Sequence, residues 1–192
     1  MALKESTMLA LGTPMPAFAL SDVRTQEIIS PETFQEESVL LVMFICRHCP
    51  YVVHVQDELT RLGRDYEGKG VDILGISSND VAGYPADAPE RLQEMAEQLG
   101  WKFPYVYDET QAVAKAFTAA CTPDFFVFDD QRRLVYRGQL DDSRPGNGHP
   151  VTGRDLRMAL DAVLAGQPVP RHQQPSAGCN IKWKPGNEPA YA

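Results

Sequence analysis

Residues 39–50 read Val-Leu-Leu-Val-Met-Phe-Ile-Cys-Arg-His-Cys-Pro, and the architecture of the chain follows from this segment. Its first seven residues are all apolar, and a short apolar run rich in Val, Ile and Phe predicts a strand buried on both faces. After Pro50, apolar residues recur three or four positions apart, as on one face of an amphipathic helix. Cys46 and Cys49 are therefore predicted to lie where a buried strand ends and a helix begins.

This position favours redox chemistry at the two cysteines. The N–H groups and partial positive charge of a helix N-terminus stabilise a thiolate. We expect Cys46 to be the exposed attacking thiol and Cys49 the more buried resolving thiol. A helix end contributes about 0.3–1 kcal/mol, whereas lowering a thiol pKa by about two units takes about 2.7 kcal/mol. We assign the remainder to Arg47 and His48, which stand between the two cysteines.

A structural zinc half-site and a pair of inert core thiols are the alternatives for these cysteines. A zinc site needs further ligands, and the sequence has no second Cys/His pair with ligand spacing. We therefore predict no metal and no other cofactor.

Two further segments complete a family resemblance. Residues 121–129 read Cys-Thr-Pro-Asp-Phe-Phe-Val-Phe-Asp, and residues 178–187 read Gly-Cys-Asn-Ile-Lys-Trp-Lys-Pro-Gly-Asn. Together with Cys-x-x-Cys-Pro between a strand and a helix, they resemble the thioredoxin superfamily, and more narrowly its peroxiredoxin-like redoxins of the AhpC/TSA type. The resemblance covers residues 14–189. It implies an α/β, thioredoxin-like fold, with a mixed central sheet flanked by helices, an N-terminal hairpin and an extended C-terminal tail.

The resemblance also implies a substrate groove. In it Pro123 is cis and faces the dithiol, so that Thr122 and Pro123 line the groove. Cys121 and Cys179 are candidate auxiliary redox thiols. Four cysteines allow three full pairings, and we favour Cys121–Cys179 as the partner of the Cys46–Cys49 disulfide; a docked tail with an unreacted Cys179 is the alternative.

A charged loop is predicted at the same edge of the sheet. Residues 124–128 and 133–140 are predicted to form an antiparallel hairpin, and its second strand ends beside the dithiol. The residues that follow it, Asp141, Asp142 and Arg144, are candidate site residues that act through their charge. A solvated loop without a role in the site is the alternative.

The other segments fit the same α/β pattern. A strand is predicted over residues 71–77, parallel to the first, and an extended piece over 103–107. Asp87 and Glu90 have the spacing of a capping box before a helix over residues 90–99. Other elements are helices over 110–120 and 154–165, a hairpin of residues 18–20 and 27–30, and one helical turn over 31–36. The organisation we predict is an arm (1–13), a redoxin domain (14–166) and a Pro-rich tail (167–192).

Composition limits the partners. The 192 residues carry a net charge of −8, which disfavours nucleic acid and anionic membranes as partners. No apolar run approaches the roughly 20 residues that span a bilayer, and residues 1–13 do not have the pattern of a signal peptide. We expect a cytoplasmic protein whose cysteines cycle between thiol and disulfide. The expected partners are thiols and disulfides of proteins or small molecules, with peroxides as further candidates.

The predicted function is that of a thiol–disulfide oxidoreductase. Cys46 attacks a disulfide, and Cys49 then releases the product. The alternatives are a thiol peroxidase that uses Cys46 or Cys49, and a redox-inactive binding module. Two departures from the resembled proteins are visible: Leu40 stands where reductants carry an acid six residues before the first cysteine, and the Pro-x-x-x-Thr-x-x-Cys pattern of peroxiredoxins is missing.

Overall fold

A computed structural model describes residues 3–34 and 38–192. Within these ranges the chain forms ten strands: β1 (Leu3–Glu5), β2 (Leu20–Ser21), β3 (Ile28–Ile29), β4 (Val39–Phe44), β5 (Val71–Ser77), β6 (Tyr105–Tyr107), β7 (Cys121–Thr122), β8 (Asp124–Phe128), β9 (Leu134–Gly138) and β10 (Ala177–Asn180). The helices of the same ranges are α1 (Pro50–Tyr66), α2 (Pro89–Gln98), α3 (Ala112–Ala116) and α4 (Arg154–Leu164). None of these helices is both long and apolar enough to cross a membrane.

The central sheet has the order β6-β5-β4-β8-β9. β4 pairs in parallel with β5 and antiparallel with β8, so the sheet is mixed. Every residue of β4 is buried because helices or loops cover both faces of the sheet. Leu41 and Met43 enter the hydrophobic cluster that includes α1, while Val42 and Phe44 enter the cluster that includes Phe117. The predicted buried strand and its parallel neighbour are thus confirmed.

A second, three-stranded sheet joins the two ends of the chain in the order β1-β10-β7. Cys179 of β10 lies opposite Leu3 on one side and opposite Thr122 on the other, both in antiparallel register. The sequence predicts an arm and an extended tail here. The tail is extended, but β10 is the central strand of a sheet, because both of its edges find backbone partners.

Some predicted boundaries need correction. The helix predicted over residues 110–120 is only α3, because Gln111 and Thr118 have positive φ angles of 63° and 50° that end the helical geometry on either side. The capping box predicted from Asp87 does not form: Ala88 is the N-cap of α2, and the Asp87 side chain is turned into the protein.

Other predicted elements agree with the structure. The N-terminal hairpin is present, with Leu20 opposite Ile29. The predicted turn over residues 31–36 appears as a 3₁₀ turn over Pro31–Thr33, and its last two residues lie outside the described ranges. The hairpin of β8 and β9, and helix α4, also lie where the sequence predicts them.

Candidate active site

The dithiol lies at the junction of β4 and α1. Cys46 is in the loop after β4, and Cys49 is the N-cap of α1 with Pro50 in its first turn. Cys46 is 1% exposed and Cys49 is 0% exposed, so the expected difference in exposure is absent. All four cysteines belong to the described ranges, and all are buried thiols. The structure therefore corrects the picture of an open Cys46 beside a buried Cys49: both sulfurs are covered.

Thr122 lies against both sulfurs. Its hydroxyl oxygen is 3.5 Å from the Cys46 sulfur, and its carbonyl oxygen is 3.2 Å from the Cys49 sulfur. The Thr122–Pro123 peptide bond is cis. These distances bring the two predicted groove residues to the dithiol.

The two sulfurs share a hydrogen bond that moves their pKa values apart. Donation to Cys49, burial and the nearby charge of Asp87 raise the pKa of Cys46 well above its usual range. The hydrogen bond received from Cys46 lowers the pKa of Cys49 to about 5, and weaker bonds from Cys179 and Thr122 act in the same direction. These directions favour ionisation of Cys49, at the N-terminus of α1, over ionisation of Cys46.

This direction is opposite to the one expected from the sequence. We expected a low pKa at Cys46, lowered by the start of the helix and by Arg47 and His48. The hydrogen-bond donors converge instead on Cys49, while Cys46 lies next to a carboxylate. The main influences on Cys46 are Cys49, burial and Asp87, rather than the side chains of Arg47 and His48.

Asp87 holds the turn that contains the cysteines. Its carboxylate is fully buried and accepts hydrogen bonds from the backbone N–H groups of Arg47 at 2.9 Å and His48 at 3.1 Å. It also contacts the Nδ1 atom of His48 at 2.5 Å and accepts a bond from the side-chain amide of Asn79 at 2.8 Å. Sequence reasoning missed this role because the spacing of Asp87 and Glu90 fits a helix cap equally well.

His48 is fixed from two sides. Its ring stacks on Tyr84 with centroids 5.1 Å apart, and its Nδ1 atom is engaged by Asp87. The Nε2 atom is buried and has no hydrogen-bond partner among the described residues. Cys46, His48 and Asp87 also bring a sulfur, a nitrogen and an oxygen within 4.8 Å of one another. These three side chains are the ones in the described ranges whose spacing would suit a metal ion.

Cys179 is the third thiol of the site. It shares a strand pairing with Thr122 and a hydrogen bond with Cys49, and it is 2% exposed. Burial, followed by the hydrogen bond and charge of Cys49, raises the pKa of Cys179 to about 12. The expectation that the tail reaches the dithiol agrees with this placement.

Cys121 lies on the other face of the same strands. It pairs with Asn180, whereas Cys179 pairs with Thr122. Because neighbouring side chains of a strand alternate between faces, Cys121 and Cys179 point to opposite faces of the sheet. The Cys121 sulfur lies 3.5 Å from the carbonyl oxygen of Pro123. The Cys121–Cys179 pairing favoured from the sequence is therefore wrong.

The loop of Asp141, Asp142 and Arg144 has a structural role. Asp141 is buried and accepts hydrogen bonds from backbone N–H groups of its own loop and of the start of α4. Asp142 is exposed and pairs with His149 at 3.3 Å. Arg144 donates to carbonyl groups of the same loop and lines a small cavity beside the cis proline. The carboxylate that acts on the Cys46 sulfur is Asp87, which corrects the expected influence of Asp141 and Asp142.

Comparison with known proteins identifies the family of the chain. Residues 11–137 match the AhpC/TSA family. A curated relative, the thiol-disulfide oxidoreductase ResA of Geobacillus thermodenitrificans, is 28% identical over 133 residues, which are 68% of this chain and 70% of the relative. Thiol–disulfide oxidoreductase activity is thus supported at the level of related proteins.

Solved structures support the fold. An uncharacterized conserved protein from Geobacillus kaustophilus superposes with a TM-score of 0.94 at 55% identity, covering 97% of this chain and 98% of that protein. A putative thioredoxin from Neisseria meningitidis superposes with a TM-score of 0.61 at 22% identity, covering 79% and 89%. The fold is thioredoxin-like, as the resemblance in the sequence implied.

Proposed function

The chain belongs to the AhpC/TSA family of the thioredoxin superfamily, and from that premise we propose that it is a thiol–disulfide oxidoreductase working through Cys46 and Cys49. The reaction exchanges a substrate disulfide for the Cys46–Cys49 disulfide. The substrates would be disulfides of proteins or small molecules, in keeping with relatives named as thiol-disulfide oxidoreductases.

The observation that carries this proposal is the placement of both sulfurs against Thr122 at the start of α1. Cys46 donates its S–H to Cys49, whose charge is stabilised at the start of α1. A thiolate is the reactive form in disulfide exchange. The reduced pair therefore already contains the anion that the chemistry needs, together with the hydrogen bond along which a proton moves.

Cys46 is the attacking sulfur in this proposal. Cys49 contacts Cys179 of β10, whereas Cys46 lies in the loop before α1, beside the Thr122 hydroxyl. As the Cys46 sulfur bonds to one sulfur of the substrate, the substrate S–S bond breaks. The proton of Cys46 passes to Cys49, and a mixed disulfide is left on Cys46.

Cys49 completes the exchange. Its low pKa makes it a ready proton donor to the departing substrate sulfur and leaves a thiolate that attacks Cys46. The Cys46–Cys49 bond forms as the bond between Cys46 and the substrate breaks. Two electrons pass from the dithiol to the substrate, which leaves as two thiols: one sulfur takes its proton from Cys49 and the other takes a proton from solvent.

Access to the sulfurs requires movement of a covering segment. Both sulfurs are almost fully buried, and a disulfide must approach in line with the attacking sulfur. β10 lies against Cys49 and is paired on both edges, so uncovering Cys49 on this side requires that one of these strand pairings be broken. The groove of Thr122 and Pro123 would then receive the substrate.

Trapping with glutathione disulfide tests the assignment. Cys49→Ser removes the resolving thiol, so a mixed disulfide with glutathione should accumulate on Cys46, and reductant should release it. Wild-type protein should instead form the Cys46–Cys49 disulfide and liberate two glutathione thiols. Cys121→Ser is the matched control and should behave as wild type, because Cys121 points away from the site.

Two outcomes contradict the proposal. If Cys46→Ser accumulates the mixed disulfide as readily as Cys49→Ser does, the roles of the two sulfurs are wrongly assigned. If hydrogen peroxide oxidises the wild-type dithiol in preference to glutathione disulfide and sustains turnover with added thiol, the protein is a peroxidase.

A further inference from the structure

Three sulfurs, rather than two, meet at Thr122. The sulfurs of Cys46 and Cys49 lie 3.5 Å from its hydroxyl oxygen and 3.2 Å from its carbonyl oxygen. Cys179 lies directly opposite Thr122 in the β7–β10 pairing and shares a hydrogen bond with Cys49. Cys49 is therefore in contact with a thiol on each side, Cys46 from its own turn and Cys179 from the tail.

The third thiol is held in place by the surrounding chain. β10 is paired on both edges, with β1 and with β7. Ser176, just before it, donates a hydrogen bond of 2.7 Å to the carbonyl oxygen of Pro123, and Ile181, just after it, is 1% exposed. A Cβ atom on Gly178 would lie 2.1 Å from the Thr122 carbonyl oxygen. Such close packing fixes the position of Cys179 relative to Cys49.

We propose that Cys179 is a third redox thiol, which takes Cys49 from the Cys46–Cys49 disulfide and forms a Cys49–Cys179 disulfide. The proposal rests on the proposed function, because the Cys46–Cys49 disulfide is the product of that reaction. It adds an internal exchange that places the oxidised bond between α1 and the C-terminal strand.

The exchange balances without any external reagent. Cys179 loses its proton and bonds to the sulfur of Cys49, the Cys46–Cys49 bond breaks, and Cys46 leaves with the electron pair and takes up a proton. One disulfide and one thiol are present before and after the step. No net oxidation takes place, and Cys46 becomes a thiol that is again able to attack.

The charges around Cys179 change in the required direction when the dithiol is oxidised. In the reduced protein the thiol of Cys179 donates to the Cys49 thiolate, and the negative charge of Cys49 opposes its ionisation. Once Cys49 is in a disulfide it no longer carries that charge. Lys182, three residues further on, favours the thiolate of Cys179. Oxidation at Cys46 and Cys49 therefore makes Cys179 a better nucleophile.

Cys121, the remaining cysteine, serves as the control. It lies on the opposite face of β7 and contacts the carbonyl oxygens of Pro123 and Ser176. A relay that depended only on the number of buried thiols would involve Cys121 as readily as Cys179. The strand register restricts it to Cys179.

Disulfide mapping of the full chain tests the relay. Wild-type protein is equilibrated with mixtures of reduced and oxidised glutathione, quenched in acid, alkylated and digested without reductant. We expect both Cys46–Cys49 and Cys49–Cys179 peptides. Their ratio should stay within about twofold while the oxidised fraction changes about tenfold, because the internal exchange neither gains nor loses electrons.

Variants separate the relay from the reaction that feeds it. Cys179→Ser should lose the Cys49–Cys179 peptide and keep Cys46–Cys49, and Cys121→Ser should keep both. Cys46→Ser cannot form the first disulfide, so treatment with the thiol oxidant diamide should join Cys49 directly to Cys179. Circular dichroism of each variant confirms that it is folded before it is mapped.

The two proposals fail in different ways. Full conversion to Cys46–Cys49 without a Cys49–Cys179 peptide, together with free thiols in diamide-treated Cys46→Ser, overturns the relay and leaves the proposed function intact. If the wild-type protein does not reduce glutathione disulfide, the proposed function is overturned. The diamide experiment on Cys46→Ser still tests the contact of Cys49 with Cys179 in that case.

Discussion

At the residue scale, the chemistry of the site depends on where a single buried carboxylate lies. Asp87 accepts two backbone N–H groups of the cysteine turn and engages the His48 ring. Its charge raises the pKa of Cys46, while donors converge on Cys49. A buried carboxylate, absent at Leu40, thus lies near Cys46 in the segment before α2, where sequence spacing predicted only a helix cap.

Asp87→Asn should lower the pKa of Cys46 and destabilise the fold. The substitution removes the negative charge near the Cys46 sulfur. In the wild type the Asp87 carboxylate accepts a hydrogen bond from the Asn79 side-chain amide, whereas in the variant the NH₂ group of the new Asn faces that donor. A buried donor left unpaired costs about 1–3 kcal/mol. Alkylation rate against pH and urea denaturation measure the two effects. Asp142→Asn, on the exposed loop, is the control and should change neither the pKa of Cys46 nor the free energy of unfolding. If the pH dependence of Cys46 alkylation were unaltered in Asp87→Asn, Asp87 would have no part in the electrostatics of the site.

The reduced protein should become more stable as the pH rises through the neutral range. The folded pKa of Cys49, about 5, lies below that of an unfolded cysteine, so the unfolded state binds the extra proton between these values. One such proton corresponds to about 1.4 kcal/mol for each pH unit. Burial raises the pKa of Asp124 to about 6, so its contribution to the free energy of unfolding falls as the pH rises. This group titrates mainly below the neutral range.

Urea denaturation between about pH 6.5 and about pH 8 checks this linkage. The free energy of unfolding of the reduced wild type should rise relative to that of Cys49→Ser. The contribution of Cys49 is present above the unfolded cysteine pKa and is lost as the pH falls toward about 5. Parallel curves for the two proteins would place the charge of the pair elsewhere.

At the scale of elements, β10 links the tail to every part of the site. It pairs with β7 beside the cis proline, and its Cys179 contacts Cys49. The backbone N–H of Lys182 donates to the side chain of Asn79, which in turn donates to Asp87. The tail and the segment before α2 are thus joined by hydrogen bonds to the turn that holds the cysteines.

Gly178→Ala should loosen β10 and expose the dithiol. The added Cβ would lie 2.1 Å from the Thr122 carbonyl oxygen and 2.8 Å from its carbonyl carbon, both backbone atoms that cannot turn aside. We expect faster alkylation of Cys46 and Cys49, a lower stability, and faster hydrogen exchange in β10. In Gly83→Ala, the control, the new Cβ would lie 3.2 Å from the end of the Asp80 side chain and 4.0 Å from the nearest backbone atom. Unchanged alkylation in Gly178→Ala would mean that β10 does not limit access to the sulfurs.

At the scale of the whole molecule, the sequence predicts the central sheet well and the closure of the site poorly. β4, β5 and β8 are apolar runs whose burial and parallel or antiparallel order follow from local patterning and βαβ chirality. β10 consists of Ala-Gly-Cys-Asn, which has no alternation and little strand propensity, and its pairing joins residues more than fifty positions apart. The burial of Cys46 and the turning of Asp87 into the core depend on such long-range contacts.

The redox poise of the molecule follows from the same contacts. A thiolate stabilised at Cys49 by Cys46, Cys179 and the start of α1 stabilises the reduced fold, and this stabilisation is absent from the disulfide form. Folding and oxidation form one thermodynamic cycle. The free energy of unfolding should therefore be larger for the reduced protein than for the disulfide form, each measured against an unfolded chain in the same redox state. Its disulfide should then be a stronger oxidant than that of thioredoxin, so the dithiol reduces glutathione disulfide only when that disulfide is in excess over reduced glutathione, and the same exchange run in reverse oxidises substrate dithiols.

We expect a reduction potential above about −270 mV, the thioredoxin value, and toward that of DsbA at about −120 mV. Equilibration with glutathione measures it, and Cys179→Ala should shift it to a more negative value, because one donor to the Cys49 thiolate is lost. Unfolding free energies of the reduced and oxidised proteins provide an independent check, since about 30 mV corresponds to about 1.4 kcal/mol for two electrons. A potential at or below that of thioredoxin would mean that the covering strand stabilises the disulfide more than the hydrogen bonds stabilise the thiolate.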